Sequence, residues 1–149
     1  MIDREDRIKL TNFLESGKGL YIEGCDFGLY NDTTELYQKF GCKFISDGNY
    51  STIGNVNNVT GTTGSITSGS NFTYLYQQEP DNYVDVIDAD SGTIIFRSQD
   101  SYGRAISYGG STNSYRAIHS SFIFGALRDG ANTKEELMAI YLNYLHAIP

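Results

Sequence analysis

The run Lys18-Gly-Leu-Tyr-Ile-Glu-Gly-Cys-Asp-Phe-Gly28 decides how the chain is read. Leu20 to Ile22 form a short apolar strand, and the glycines that follow allow a tight turn into a helix, the strand-turn-helix elbow on which many α/β folds carry a catalytic nucleophile. Here Glu23 falls where the nucleophile is expected, and Cys25 arrives two residues late.

Upstream of the strand, Leu10, Phe13 and Leu14 recur at helical spacing after a charged start, and Gly17 supplies a stop, so residues 3 to 16 read as an amphipathic helix. Downstream, Asp32 or Thr33 can cap a helix with Glu35 in its first turn, Leu36 and Phe40 on one face and Gly41 at its end. Residues 47 to 71 are polar, glycine-rich and nearly uncharged, and read as a long loop with short β pieces; a loop of this length is commonly functional or mobile. From Phe72 the pattern turns to short β-branched or aromatic runs: 74–76, 84–87, 93–96, 105–108 and 115–122. Asp88-Ala-Asp-Ser-Gly92 is the clearest hairpin turn among them. Thr133-Lys-Glu-Glu136 then forms a capping box ahead of Leu137, Ile140, Tyr141, Tyr144 and Leu145, an amphipathic closing helix.

At 149 residues the chain fits one domain, 1–149, and buries enough surface for a single core. A formal net charge of -7 and the lack of a basic stripe disfavour nucleic acid as partner. No apolar run approaches the ~20 residues of a membrane span, and the charged first residues do not resemble a signal peptide. A composition rich in Gly, Asn, Ser, Thr and Tyr, with two Pro and no Trp, matches secreted bacterial surface proteins, so an extracellular or cell-surface location is expected, any signal lying upstream in a parent protein.

Two segments, Phe13-Leu-Glu-Ser-Gly-Lys-Gly-Leu-Tyr-Ile-Glu-Gly24 and Tyr115-Arg-Ala-Ile-His-Ser-Ser-Phe-Ile-Phe-Gly-Ala-Leu127, followed by a capped helix, resemble the C-terminal part of a class I glutamine-amidotransferase-like domain of large secreted bacterial proteins. The resemblance leaves the loop from 47 to 71 unmatched. It implies an α/β fold, a flavodoxin-like three-layer α/β/α sandwich, incomplete at its start and carrying an antiparallel strand section and a long polar loop. In that family a cysteine sits on the elbow and a histidine follows a late strand. Laid on this sequence, those positions hold Glu23 and Ser120, with His119 one residue early and on the opposite face of a strand. The resemblance therefore implies a copy without thiol chemistry, a spacer or binding module of a multidomain protein.

A cysteine hydrolase or amidase using Cys25 and His119, with Glu23 or Asp26 in support, is the alternative, and a carbohydrate- or calcium-dependent adhesive module is the third reading. Asp81, Asp85, Asp88 and Asp90 lack the spacing of a calcium loop and read as a solvated hairpin, and no cysteine or histidine cluster supplies metal ligands, so no metal and no cofactor is expected. Cys25 and Cys42 read as buried free thiols, a disulfide requiring Cα atoms within about 7 Å. The expected partners are other domains of a parent protein and a second copy meeting an exposed sheet edge.

Overall fold

The computed structural model describes residues 2–48, 56–75, 83–109 and 114–146. Helix α1, Arg4–Glu15, begins where Asp3 accepts the Asp6 amide at 2.9 Å, and it buries Leu14 while leaving Phe13 exposed. Strand β1, Gly19–Glu23, enters the elbow, and a short helix α2, Phe27–Asn31, leaves it. Helix α3 is a single turn, Glu35–Gln38, capped by Thr34 and closed by Gly41 at φ +60, a left-handed conformation that favours glycine. Next come β2 (Cys42–Ser46), β3 (Asn58–Gly61), β4 (Asn71–Tyr74), β5 (Val86–Ala89), β6 (Thr93–Ser98), β7 (Gly103–Gly109) and β8 (Arg116–Ser120). A 3-10 turn, Phe124–Ala126, leads to β9 (Leu127–Arg128), and α4, Lys134–His146, follows.

Among the described residues nine strands form one mixed sheet, ordered β1-β8-β7-β6-β3-β4-β9, with β5 joined to β2 and β7 beside this path. Among the described residues only β1 and β8 run parallel, and the other pairs are antiparallel. This overturns the three-layer α/β/α sandwich and the flavodoxin-like expectation. A parallel sheet needs a crossover of a dozen or more residues between neighbouring strands, and the connections between β6 and β7 and between β7 and β8 are too short to provide one. The strand-turn-helix elbow that suggested a doubly wound sheet is present, but it serves a single parallel pair.

The sheet must also curl. Five strand spacings of about 4.8 Å separate β8 from β9 in the sheet order, about 24 Å if flat. The chain joins Ser120 to Leu127 through a segment containing the 3-10 turn, which is shorter than an extended chain needs to be to cover that distance. Curling brings the two ends of the order together around one apolar cluster that holds Phe72, Tyr74, Phe96, Ile118, Phe122 and Leu137. A second cluster, with Leu14, Phe27, Leu36, Phe40, Ile106 and Ala117, fills the space between the sheet and α1, α2 and α3. The alternation of Ala117 and Ile118 between the two clusters marks opposite faces of β8.

Two local expectations change. The turn after β5 does not close a hairpin. Asp90, Ser91 and Gly92 donate their amides to the Gly41 carbonyl at 2.9, 3.2 and 2.9 Å, while β5 pairs with β2 and β6 pairs with β7 and β3. The described part of the polar stretch is docked: β3 lies between β4 and β6, Thr62 donates its amide to the Ile95 carbonyl at 2.9 Å, and the fully buried Thr67 hydroxyl donates to the same carbonyl. Gly61 lies so close to the Thr67 backbone that a Cβ would collide with it. Residues 49–55 of that stretch, and Tyr76 and Asp81 further on, lie outside the described residues.

The capping box forms in both directions. Thr133 donates its amide to Glu136 Oε2 at 2.8 Å, and Glu136 donates its amide to Thr133 Oγ1 at 3.2 Å. Thr133→Ala is expected to lower the unfolding free energy by about 1 kcal/mol, read as a shift in urea midpoint at unchanged slope; no shift would mean that water replaces the cap without cost.

Candidate functional site

The chain changes direction at one place where several strands end. Beyond Ser120, β8 leaves β7 and β5 takes over the same edge, pairing Ile87 with Gly103. Ser121 sits at this junction, with its hydroxyl 2.8 Å from the carbonyl oxygens of both Asp85 and Arg104. The elbow closes on it from the other side: Gly24 donates its amide to the Ser120 carbonyl at 3.0 Å, and the Cys25 carbonyl accepts the Asp85 amide at 2.9 Å. The carboxyl ends of the one parallel pair, β1 and β8, therefore face the start of β5, the position where parallel sheets commonly hold their sites.

Asp85 is the central group. It is fully buried, and its Oδ2 accepts the amides of Gly28 at 2.7 Å and Leu29 at 3.1 Å, the open donors of the first turn of α2. Its Oδ1 has no hydrogen-bond partner among the described residues. One oxygen each of Asp26, Asp47 and Asp85 lies within 4.8 Å of the other two. Burial pushes the Asp85 carboxyl up to about 7, against the pull of the two amides, and the charges of Asp26 and Asp47 push in the same direction. Burial, then Asp47, also raises Asp26.

Arg104 anchors the same region, and its charge interacts favourably with Asp85. Its buried guanidinium donates to Ser98 Oγ at 2.8 Å, to the Val84 carbonyl at 2.5 Å and to the Asp85 carbonyl at 3.3 Å, and it meets Asp100 at 3.2 Å.

The residues singled out in the sequence are kept apart. Cys25 packs into the cluster inside the curl, whereas His119 lies on the other face of β8, its ring centroid 4.9 Å from Phe27, 5.9 Å from Phe40 and 6.0 Å from Tyr37. Burial pushes the His119 imidazole down to about 4, against a smaller upward pull from the Ile22 backbone, so it stays neutral at physiological pH. Ser120, fully buried, donates its hydroxyl to the Phe122 carbonyl at 2.7 Å. Glu23 is exposed; its Oε2 accepts the Tyr21 hydroxyl at 2.5 Å and the Phe124 amide at 2.8 Å, tying β1 to the 3-10 turn. The open amides of α2, two residues beyond the elbow, go to Asp85 and not to Glu23.

Cys25 and Cys42 are both buried, and no disulfide joins them. Cys42 lies 3.2 Å from the Tyr37 hydroxyl, and burial pushes its thiol up to about 12. Of the described aspartates of the hairpin region, Asp88 accepts the Ala89 amide at 2.8 Å and Asp90 pairs with Lys43 at 3.4 Å, while Asp85 is buried. Asp26 was visible on the elbow, but Asp47 carried no signal, because the cluster is assembled by three segments far apart in sequence.

Neither a family model nor a curated protein matches the chain. Solved structures do. A cold-adapted beta-galactosidase from Rahnella sp. R3 aligns with a TM-score of 0.66 at 12% identity over 100% of this chain and 22% of its own. A beta-galactosidase from Bacillus circulans sp. alkalophilus aligns at 0.61 with 12% identity over 96% and 21%. A GH42 beta-galactosidase from G. stearothermophilus aligns at 0.60 with 14% identity over 95% and 19%. The chain thus spans about a fifth of the length of the glycosidases it is similar to, and at these identities the likeness is one of fold. These neighbours, together with the strand-rich mixed sheet, overturn the glutamine-amidotransferase-like resemblance.

Proposed function

We propose that the chain is a non-catalytic spacer or binding module of a larger carbohydrate-processing protein. The supporting observation is that nearly the whole chain overlays on a domain-sized fifth of several glycosidases. The separation of Cys25 from His119 on two faces of the sheet favours this over a cysteine hydrolase. Among the described residues no helix is long and apolar enough to cross a membrane. The extracellular or cell-surface location and the absence of nucleic acid among its partners belong to the same proposal.

Its contact with other domains of a parent protein, or with a second copy, is assigned to the open edge of β1. That strand pairs only with β8 among the described residues, and a groove lined by Phe13, Lys18, Gly19, Leu142 and Leu145 runs along it. With p-nitrophenyl β-galactoside and β-mannoside the purified chain is expected to give no turnover above buffer. Retardation in gels cast with galactan or β-1,4-mannan would mark it as a binding module, and unretarded migration as a spacer. Turnover that disappears in Cys25→Ala would replace the proposal with the hydrolase.

A further inference from the structure

We propose that Asp26, Asp47 and Asp85 form a calcium site that ties the elbow after β1 to the end of β2 and the entry of β5. Convergence is the first observation: the three side chains come from separate segments, yet one oxygen of each lies within 4.8 Å of the others. The second is the unused oxygen of Asp85. Oδ2 of this fully buried residue is occupied by the Gly28 and Leu29 amides, while Oδ1 is sealed from water without a hydrogen bond among the described residues. A buried carboxylate oxygen left in this state loses its hydration and gains nothing in return, unless a ligand supplies the contact.

No ion pair of the described residues includes Asp26, Asp47 or Asp85. Lys43, the basic residue of β2 nearest in sequence, pairs with Asp90, and Arg104 contributes to the carbonyls of Val84 and Asp85 and to Asp100. The cluster is therefore anionic: the charge of Arg104 is felt at Asp85, but no ion pair closes on any of the three carboxylates among the described residues. All three donors are hard oxygens, which excludes the softer metals that prefer thiolate or imidazole. Calcium, binding oxygens at about 2.3 to 2.6 Å, spans oxygen pairs up to roughly 5 Å apart in irregular geometry, whereas magnesium at about 2.0 to 2.1 Å demands a tighter octahedron. The site is independent of the glycosidase-like fold assignment, since its donors follow from this chain's own junction.

Asp47 and Asp26 are available for mutation because they are less buried than Asp85 and Asp47 is exposed. Chelator-treated protein titrated with CaCl2 is expected to give saturable heat, with a Kd on the order of 10⁻⁴ M, and a rise in Tm of about 5 °C at saturation. Terbium bound in place of calcium should show emission sensitised by Tyr37, whose hydroxyl faces the same space beside Gly28 as Asp85 Oδ2. Asp47→Asn should abolish the heat, the emission and the calcium-dependent part of Tm while leaving the chelated protein at least as stable as before, since it removes a like charge beside Asp26 and Asp85. Asp90→Asn, at the Lys43 pair, should leave all three intact. Absence of heat and of a Tm rise at about 10 mM calcium, a rise matched by NaCl of equal ionic strength, or a response that survives in Asp47→Asn would each overturn the site.

Discussion

Arg104→Ala is expected to lower the unfolding free energy by roughly 3 to 5 kcal/mol, among the largest single effects in the chain. The guanidinium is completely buried in β7 and burial works against its charge, so its presence depends on the partners that surround it. Removing it strips donors from Ser98 Oγ and from the carbonyls of Val84 and Asp85, leaves Asp100 without its cation, and opens a cavity between β5 and β7. Arg104→Lys should recover only part of the loss, because an ammonium group cannot reach three directions with a planar fork. Urea unfolding measures both variants; a cost below about 1 kcal/mol for Arg104→Ala would show that the junction holds without this residue.

The second large effect concerns pH. Asp85 titrates near 7 in the folded chain and near 3.9 when unfolded, so the native state holds the proton more tightly. The stability this confers is fully present below about pH 4 and is lost as pH rises to about 7, amounting to roughly 2 to 4 kcal/mol. In calcium-free buffer the unfolding free energy of the parent chain, relative to that of Asp85→Asn, should therefore fall across this window. The amide variant keeps an oxygen for the Gly28 and Leu29 amides and offers N–H groups toward Asp26 and Asp47, so at pH 8 it should be the more stable protein. Urea titrations at intervals from pH 4.5 to 8 decide the matter. A flat difference would place Asp85 in its ordinary range, and one that rises with pH would place it below that range. With calcium bound the slope should flatten, since the ion holds all three carboxylates ionised.

Much of the local structure was legible because it is written in short-range chemistry. The Thr133 to Glu136 box, the helix that follows it and β6, β7 and β8 lie within a residue or two of where composition and spacing put them. Other short elements escaped. Strand β2 lies between two polar turns with Lys43 and Ile45 facing outward, and β3 sits in a run of Asn, Thr and Gly whose only apolar signals are Val56 and Val59, both fully buried. A glycine-rich stretch reads as loop when its partners are unknown; Gly61 is there because the Thr67 backbone passes against it.

The sequence by itself determined the elbow after β1, the capped closing helix and the apolar, β-branched runs that become strands, because each depends on residues a few positions apart. Tertiary structure alone decided that β1 and β8 run parallel while the rest do not, that the sheet curls until β9 returns beside β4, and that Cys25 and His119 face opposite sides. It also decided that Asp26, Asp47 and Asp85 meet. Spacing along the chain carries no information about such a meeting; it arises only where the ends of β1, β2 and β8 and the start of β5 converge, and where burial then makes the charge of Asp85 a property of the whole junction.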